Sequence, residues 1–384
     1  MIRIPDYPKP MTQTNSLLAG IRVLDLSRLL PGPFCSLYLA QLGAEVIKIE
    51  EPNGGDYTRT LSPELFAVVN RGKKSVTLDL RQVEDVRLFH RLVESADVVL
   101  ESFRPGVMDK LGCGYDTLKA LNPKLVYAAL TGYGQTGPYR DRPGHDMNYC
   151  GYAGVLDQTG CAGGPPAPSN FQMADLAGGA LTCAVGILAA VIGARASGQG
   201  SMVDVAMLDG TLAMQVVTLA TLRTLGQAAP RGQDMLSGNL PNYAIYECAD
   251  GKHLALGSLE SKFFVRACTL AGRPDILKIP LGPGKAGDKV RAELEALFKT
   301  RTRDEWDALL ASDDTCASGI LTPAEALQNE QVLARGMVES AGGKPAFAMP
   351  VRFSHALQPL GDSPALGAHN QQVLDEVAAG VGGA

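Results

Sequence analysis

Segments six residues long in which apolar, largely branched residues fill at least every second position recur through the first third of the chain, at 21–26, 45–50, 75–80, 96–101 and 125–130, each the length of a strand. Between them the apolar positions loosen to helical spacing over 34–42, 83–95 and 115–121. Strands that alternate with helices pair in parallel, because a crossover of a dozen or more residues returns each strand to the same edge. The pattern predicts an open, doubly wound α/β sheet. Leu30-Pro31-Gly32-Pro33 reads as the turn after the first strand, and it lacks the G-x-G-x-x-G pattern of a dinucleotide site.

Beyond the sheet, residues 176–196 form one long apolar stretch. Its length would suit a membrane span, but Gly and Ala lie on several faces, and it reads as a buried helix packed closely on its neighbours. A break at 198–200, a brief strand at 202–205 and a helix over 206–225 follow. The texture then changes to a hairpin, 243–248 and 253–258, with Asp250-Gly251 at its tip, and helices over 262–271, 289–299 and 304–311. The expected organisation is a flexible extension over 1–16, a large α/β domain over 17–225, a small α+β domain over 226–318, and a segment over 319–384 that returns to the large domain. Residues 1–16 contain Pro and lack a continuous apolar run, unlike a signal peptide.

Charge and cysteine usage narrow the class. A net charge of -5 with no long Lys/Arg run excludes a nucleic-acid binder. Eight cysteines without a C-x-x-C pair, and no His at ligand spacing, point to reduced thiols in a cytoplasmic protein and to no zinc site.

Candidate chemistry gathers at two helix starts. Pro143-Gly144 punctuates the chain before a helical run, which places His145 and Asp146 in a first turn facing a loop. Asp175 stands at the head of the long apolar helix, where unpaired N–H groups favour negative charge. An Asp at that place is equally a plain N-cap, and a lone His beside Asp is equally a surface pair. Asn70-Arg71-Gly72-Lys73-Lys74 and Arg104, just past a strand end, offer cations at the edge where such sheets bind ligands. Arg71, Lys73, Lys74 and Arg104 would suit phosphate, or the loop is merely solvated.

These segments together resemble the family III CoA-transferase superfamily, and within it the α-methylacyl-CoA racemases. The resemblance runs from about Leu18 to Gly367-Ala368-His369 and is carried by Pro31-Gly32-Pro33, Leu42–Glu50, Asn70–Ser75, Arg104-Pro105-Gly106-Val107, Thr131–Gln135, Gly144-His145-Asp146, Asp175 and Leu259-Glu260. It implies an interlocked homodimer, CoA held on the large domain by Arg71, Lys73, Lys74 and Arg104, and an acyl-CoA thioester as substrate. In the racemases two acid/base groups on opposite faces of a planar enolate move the α-proton. The resemblance gives these roles to His145 and Asp175, with Glu260 orienting His145 and Asp146 beside Asp175. Backbone N–H groups at the start of the Asp175 helix would hold the enolate oxygen, and no metal or redox cofactor is required. The alternatives are a CoA-transferase with Asp175 as nucleophile and a non-catalytic acyl-CoA-binding protein.

Overall fold

The computed structural model describes residues 15–379. Most of the N-terminal extension expected over 1–16 therefore lies outside the described residues. Six parallel strands form the main sheet: β1 (Arg22–Asp25), β2 (Glu45–Glu50), β3 (Lys74–Thr77), β4 (Val98–Glu101), β5 (Val126–Thr131) and β6 (Met202–Ala206), in the order β3-β2-β1-β4-β5-β6. Each strand is short, and β4 and β5 are buried along their whole length because both faces of a parallel sheet are covered. Leu24, Ile47, Val76, Val99 and Tyr127 face the helices Val83–Glu94, Tyr115–Leu121 and Asn370–Ala378 through Phe89, Leu92, Leu118 and Val373. The alternate residues Val23, Val46, Val98, Leu100, Ala128 and Leu130 are also buried, as the period of two requires. The chain order reverses between β1 and β4, which opens a crevice beyond their C-terminal ends.

Several expectations are corrected locally. Pro31-Gly32-Pro33 is the first turn of the helix Pro31–Gln41 and not a separate turn, since Pro is pre-set for the first helical positions, where no N–H is needed. The helix expected over 206–225 is two, Met207–Ala213 and Val216–Leu225. Short helices at Thr58–Leu61 and Pro63–Val69, and the antiparallel pair Val338–Ala341 with Lys344–Phe347, have no counterpart in the sequence pattern. The long apolar helix buries Cys183, Ala184, Ile187, Val191 and Ala194, yet leaves Val185 68% and Ile192 71% exposed. It is therefore buried along one stripe only, although its length and composition alone would let it cross a bilayer.

The described chain divides into two units. The first comprises the residues up to Val155, Ser169–Gln215 and the chain from Glu330 onward; the second comprises Leu156–Pro168 and Val216–Asn329. The second unit thus starts before 226, ends after 318 and takes in a segment from before the long helix. In it, β7 (Tyr243–Glu247), β8 (His253–Gly257) and β9 (Ala317–Gly319) form an antiparallel sheet around a core of Tyr246, Phe298 and Trp306. The Trp306 indole N–H donates to the Phe298 carbonyl at 2.8 Å, which satisfies the one polar atom that this large side chain buries.

Candidate active site

A cleft of about 670 Å³ occupies the crevice of the first unit, lined among others by Arg28, Leu29, Phe103, Arg104, His145 and Asp175. Both residues singled out as acid/base candidates therefore open onto one space.

The position of His145 follows from how Tyr149 packs. A Cβ on Gly132 would lie 2.4 Å from the Tyr149 ring and one on Gly144 2.7 Å from it, so the ring sits where only glycine leaves room. Its hydroxyl donates to the Gly144 carbonyl at 2.5 Å. These contacts fix the start of the helix Asp146–Tyr152, with His145 extended at its N-cap (φ -132°, ψ 176°). The His145 backbone N–H donates to Asn148 Oδ1 at 3.0 Å. The imidazole is left exposed at the mouth of the cleft.

Asp146 does not pair with the Asp175 carboxylate. Its Oδ1 accepts from the backbone N–H of Ala174 at 2.7 Å and of Asp175 at 3.0 Å, capping the second helix from the first. Two of the backbone N–H groups expected to hold an enolate oxygen are thus already given to Asp146. The helix they open is π-helical over Ala174–Leu181 before it becomes α-helical at Thr182–Ser197. Such segments are rare and frequent at functional sites. It is wedged in place by the helix Met207–Ala213, where a Cβ on Gly210 would fall 1.9 Å from the Gly178 carbonyl oxygen.

Burial, helped by the negative charge of Asp146, pushes the Asp175 carboxyl up to about 7. Asp146→Asn keeps an oxygen acceptor for the two N–H groups and removes the charge, so Asp175 is expected to titrate lower in that variant. Carbon-13 NMR titration of aspartate-labelled protein reads the midpoint, with Asp175→Asn assigning the resonance. An unchanged midpoint would mean that burial alone sets it.

The cations divide. Arg104 lines the cleft and makes no ion pair among the described residues. The other three expected phosphate ligands are corrected. Lys73 is buried, bonded to Ser36 Oγ and Asn70 Oδ1 at 2.8 Å and paired with Asp25 at 3.2 Å, and burial draws its ammonium down to about 8. Arg71 pairs with Glu339 at 2.7 Å and donates to the Phe347 carbonyl at 2.8 Å; Lys74 pairs with Glu45 at 2.6 Å. Each is used to hold the fold. In their place Arg28, Arg140 and Arg142 line the cleft with Arg104. Arg142 stacks 3.7 Å over the Tyr139 ring and donates to the Tyr152 hydroxyl at 3.3 Å. Arg142 stands within the stretch before His145, where a signal for it was present; Arg28 and Arg140 had none beyond their charge. A cleft with four arginines suits a polyanionic ligand.

Glu260 belongs to the second unit, at the N-cap of the helix Ser261–Leu270, where it is exposed and its side chain makes no capping bond. Among the described residues no three His, Cys, Asp or Glu side chains converge as a metal site. The eight cysteines are free thiols.

The sequence model of CoA-transferase family III matches residues 18–370. The chain is 35% identical over 367 residues to the α-methylacyl-CoA racemase of Homo sapiens, across 94% of this chain and 93% of that protein. It is also 35% identical over 388 residues to the succinate–glutarate CoA-transferase of Agrobacterium fabrum, across 94% of this chain and 95% of that one. The crystal structure of a CaiB/BaiF family protein from Brucella suis superposes with a TM-score of 0.85 at 34% identity, over 95% of this chain and 100% of that chain.

Proposed function

This chain belongs to CoA-transferase family III, and from that premise we propose that it inverts the α-carbon of 2-methylacyl-CoA thioesters by two-base proton transfer. The observation that carries the reading is an imidazole, His145, and a carboxylate raised to about 7, Asp175, opening onto the same cleft. A transferase needs one nucleophilic carboxylate there. A racemase needs a second acid/base group, and a base that holds its proton near neutral pH is suited to general catalysis.

In one direction Asp175 removes the α-proton, the electrons move into the thioester carbonyl to give a planar enolate, and the imidazolium of His145 returns a proton to the opposite face. The reverse direction exchanges the roles. The step is proton transfer alone and calls for no cofactor. The four arginines of the cleft hold the CoA phosphates, in place of the basic loop first expected to do so. The reading includes a homodimer, in which a second copy covers the exposed apolar residues of the long helix and Glu260 of the partner subunit orients His145.

Incubation of one enantiomer of a 2-methylacyl-CoA in D2O, with no second carboxylic acid, tests the reaction class. The expected result is racemisation with gain of deuterium at the α-carbon, undiminished by hydroxylamine. Absence of exchange, with an acyl adduct trapped on Asp175, would overturn the racemase reading in favour of a transferase.

A further inference from the structure

Leu29 lines the cleft with its backbone in the left-handed region, at φ 66°, which a leucine avoids because its Cβ crowds the following carbonyl. Such a conformation persists only where the surroundings over-determine it. Here the surroundings are one buried ion pair. Lys48 Nζ and Asp56 Oδ2 lie 3.0 Å apart with both side chains fully covered. Each partner also reaches the same tripeptide: Lys48 donates to the Ser27 carbonyl at 2.8 Å, and Asp56 Oδ1 accepts from the Leu29 N–H at 3.1 Å. The two bonds straddle Arg28. Its own N–H donates to Ser102 Oγ at 3.1 Å, across the crevice between β1 and β4. Its guanidinium lies 4.9 Å from the centre of the Phe103 ring and 5.2 Å from that of Tyr57.

We propose that the Lys48–Asp56 pair is a positioning device for the ligand: a clamp that holds Leu29 in its left-handed conformation and thereby fixes the lip of the cleft that carries Arg28. Neither residue touches the cleft. Thr58 strengthens the clamp by donating its N–H and hydroxyl to Asp56 Oδ1 at 3.0 and 2.8 Å. Burial opposes charge on Asp56, but Lys48 and these hydrogen bonds outweigh it and hold the carboxyl below its ordinary value.

The inference rests on the cleft being an acyl-CoA site, and the test separates the two. An inert acyl-CoA thioether is titrated into wild type, Asp56→Ala, Leu29→Gly and the double variant by calorimetry, with thermal unfolding run alongside. Asp56→Ala is expected to weaken binding about tenfold in the wild-type background. Glycine adopts the left-handed conformation without strain, so in the Leu29→Gly background the same change should cost less than about threefold. Equal losses in the two backgrounds overturn the clamp, because a general packing role would not be relieved by glycine. Should Asp56→Ala fail to fold, Leu29→Asn and Leu29→Val decide. They are close in size, but Asn tolerates the left-handed region and the β-branched Val does not. The clamp requires Val to bind severalfold more weakly, and equal affinity overturns it. A wild type that does not bind the thioether removes the acyl-CoA reading and the clamp with it, whereas binding without coupling removes the clamp alone.

Discussion

Asp175→Asn will lose α-proton exchange by about 10²- to 10⁴-fold, the usual contribution of a positioned base, and at the same time gain stability at neutral pH. The gain follows from proton linkage. In the folded chain the Asp175 carboxyl titrates at about 7, whereas in the unfolded chain it returns to about 3.9. Between those values the folded state holds a proton that the unfolded state has released, so stability falls as pH rises from about 4 to about 7 and stays reduced above that. Asparagine carries no charge to bury and escapes this penalty. Urea unfolding should therefore show the variant more stable than wild type at pH 8, and the advantage should shrink as the pH is lowered toward 5. A variant no more stable than wild type at pH 8 would show that the site tolerates the carboxylate without strain. Loss of activity joined to gain of stability is the usual sign of a group kept for chemistry and not for folding.

His145→Ala is expected to lose racemisation by a similar factor, about 10²- to 10⁴-fold, with little change in affinity for acyl-CoA. The side chain is exposed, and the backbone bonds that hold the residue, from its N–H to Asn148 Oδ1 and from the Asn148 N–H to its carbonyl, are kept by alanine, so the substitution removes chemistry without removing packing. With Asp175 intact, deuterium should still enter from one enantiomer and hardly at all from the other. Measuring exchange from each pure enantiomer in D2O checks this. Equal residual exchange from both would mean that His145 does not serve one face. Loss of exchange together with loss of binding would place its role in holding the substrate.

The sheet was legible because parallel strands are covered on both faces and so leave continuous apolar runs, as in Val98–Glu101 and Val126–Thr131. His145 and Asp175 were legible because helix starts are punctuated, by Pro143-Gly144 in one case and by the onset of the apolar helix in the other. What failed has physical reasons. The charge of Lys73 suggested a ligand contact, but its counter-ion Asp25 stands 48 positions earlier, and Glu339, the partner of Arg71, is farther still. Distant partners of this kind leave no local signature, and a charged residue does not announce that it is buried. Asp146 looked like a partner for a side chain because its hold on the backbone of Ala174 and Asp175 spans two helices. The clamp on Leu29 escaped for a related reason, since a positive φ at leucine follows from tertiary hydrogen bonds and not from the residue itself.

The π-helical turn at Ala174–Leu181 separates two demands that a regular helix would tie together. In an α-helix each residue rotates the chain by roughly 100°, so the direction of the first side chain dictates that of every apolar residue behind it. The wider i→i+5 turn inserts a phase offset between them. Asp175 can then point at the cleft while Cys183, Ala184, Ile187, Val191 and Ala194 keep the stripe that stays buried. The aim of the carboxylate is thus set in the segment that Gly178 seats against Gly210, and the register of the packed stripe in the α-helical stretch behind it.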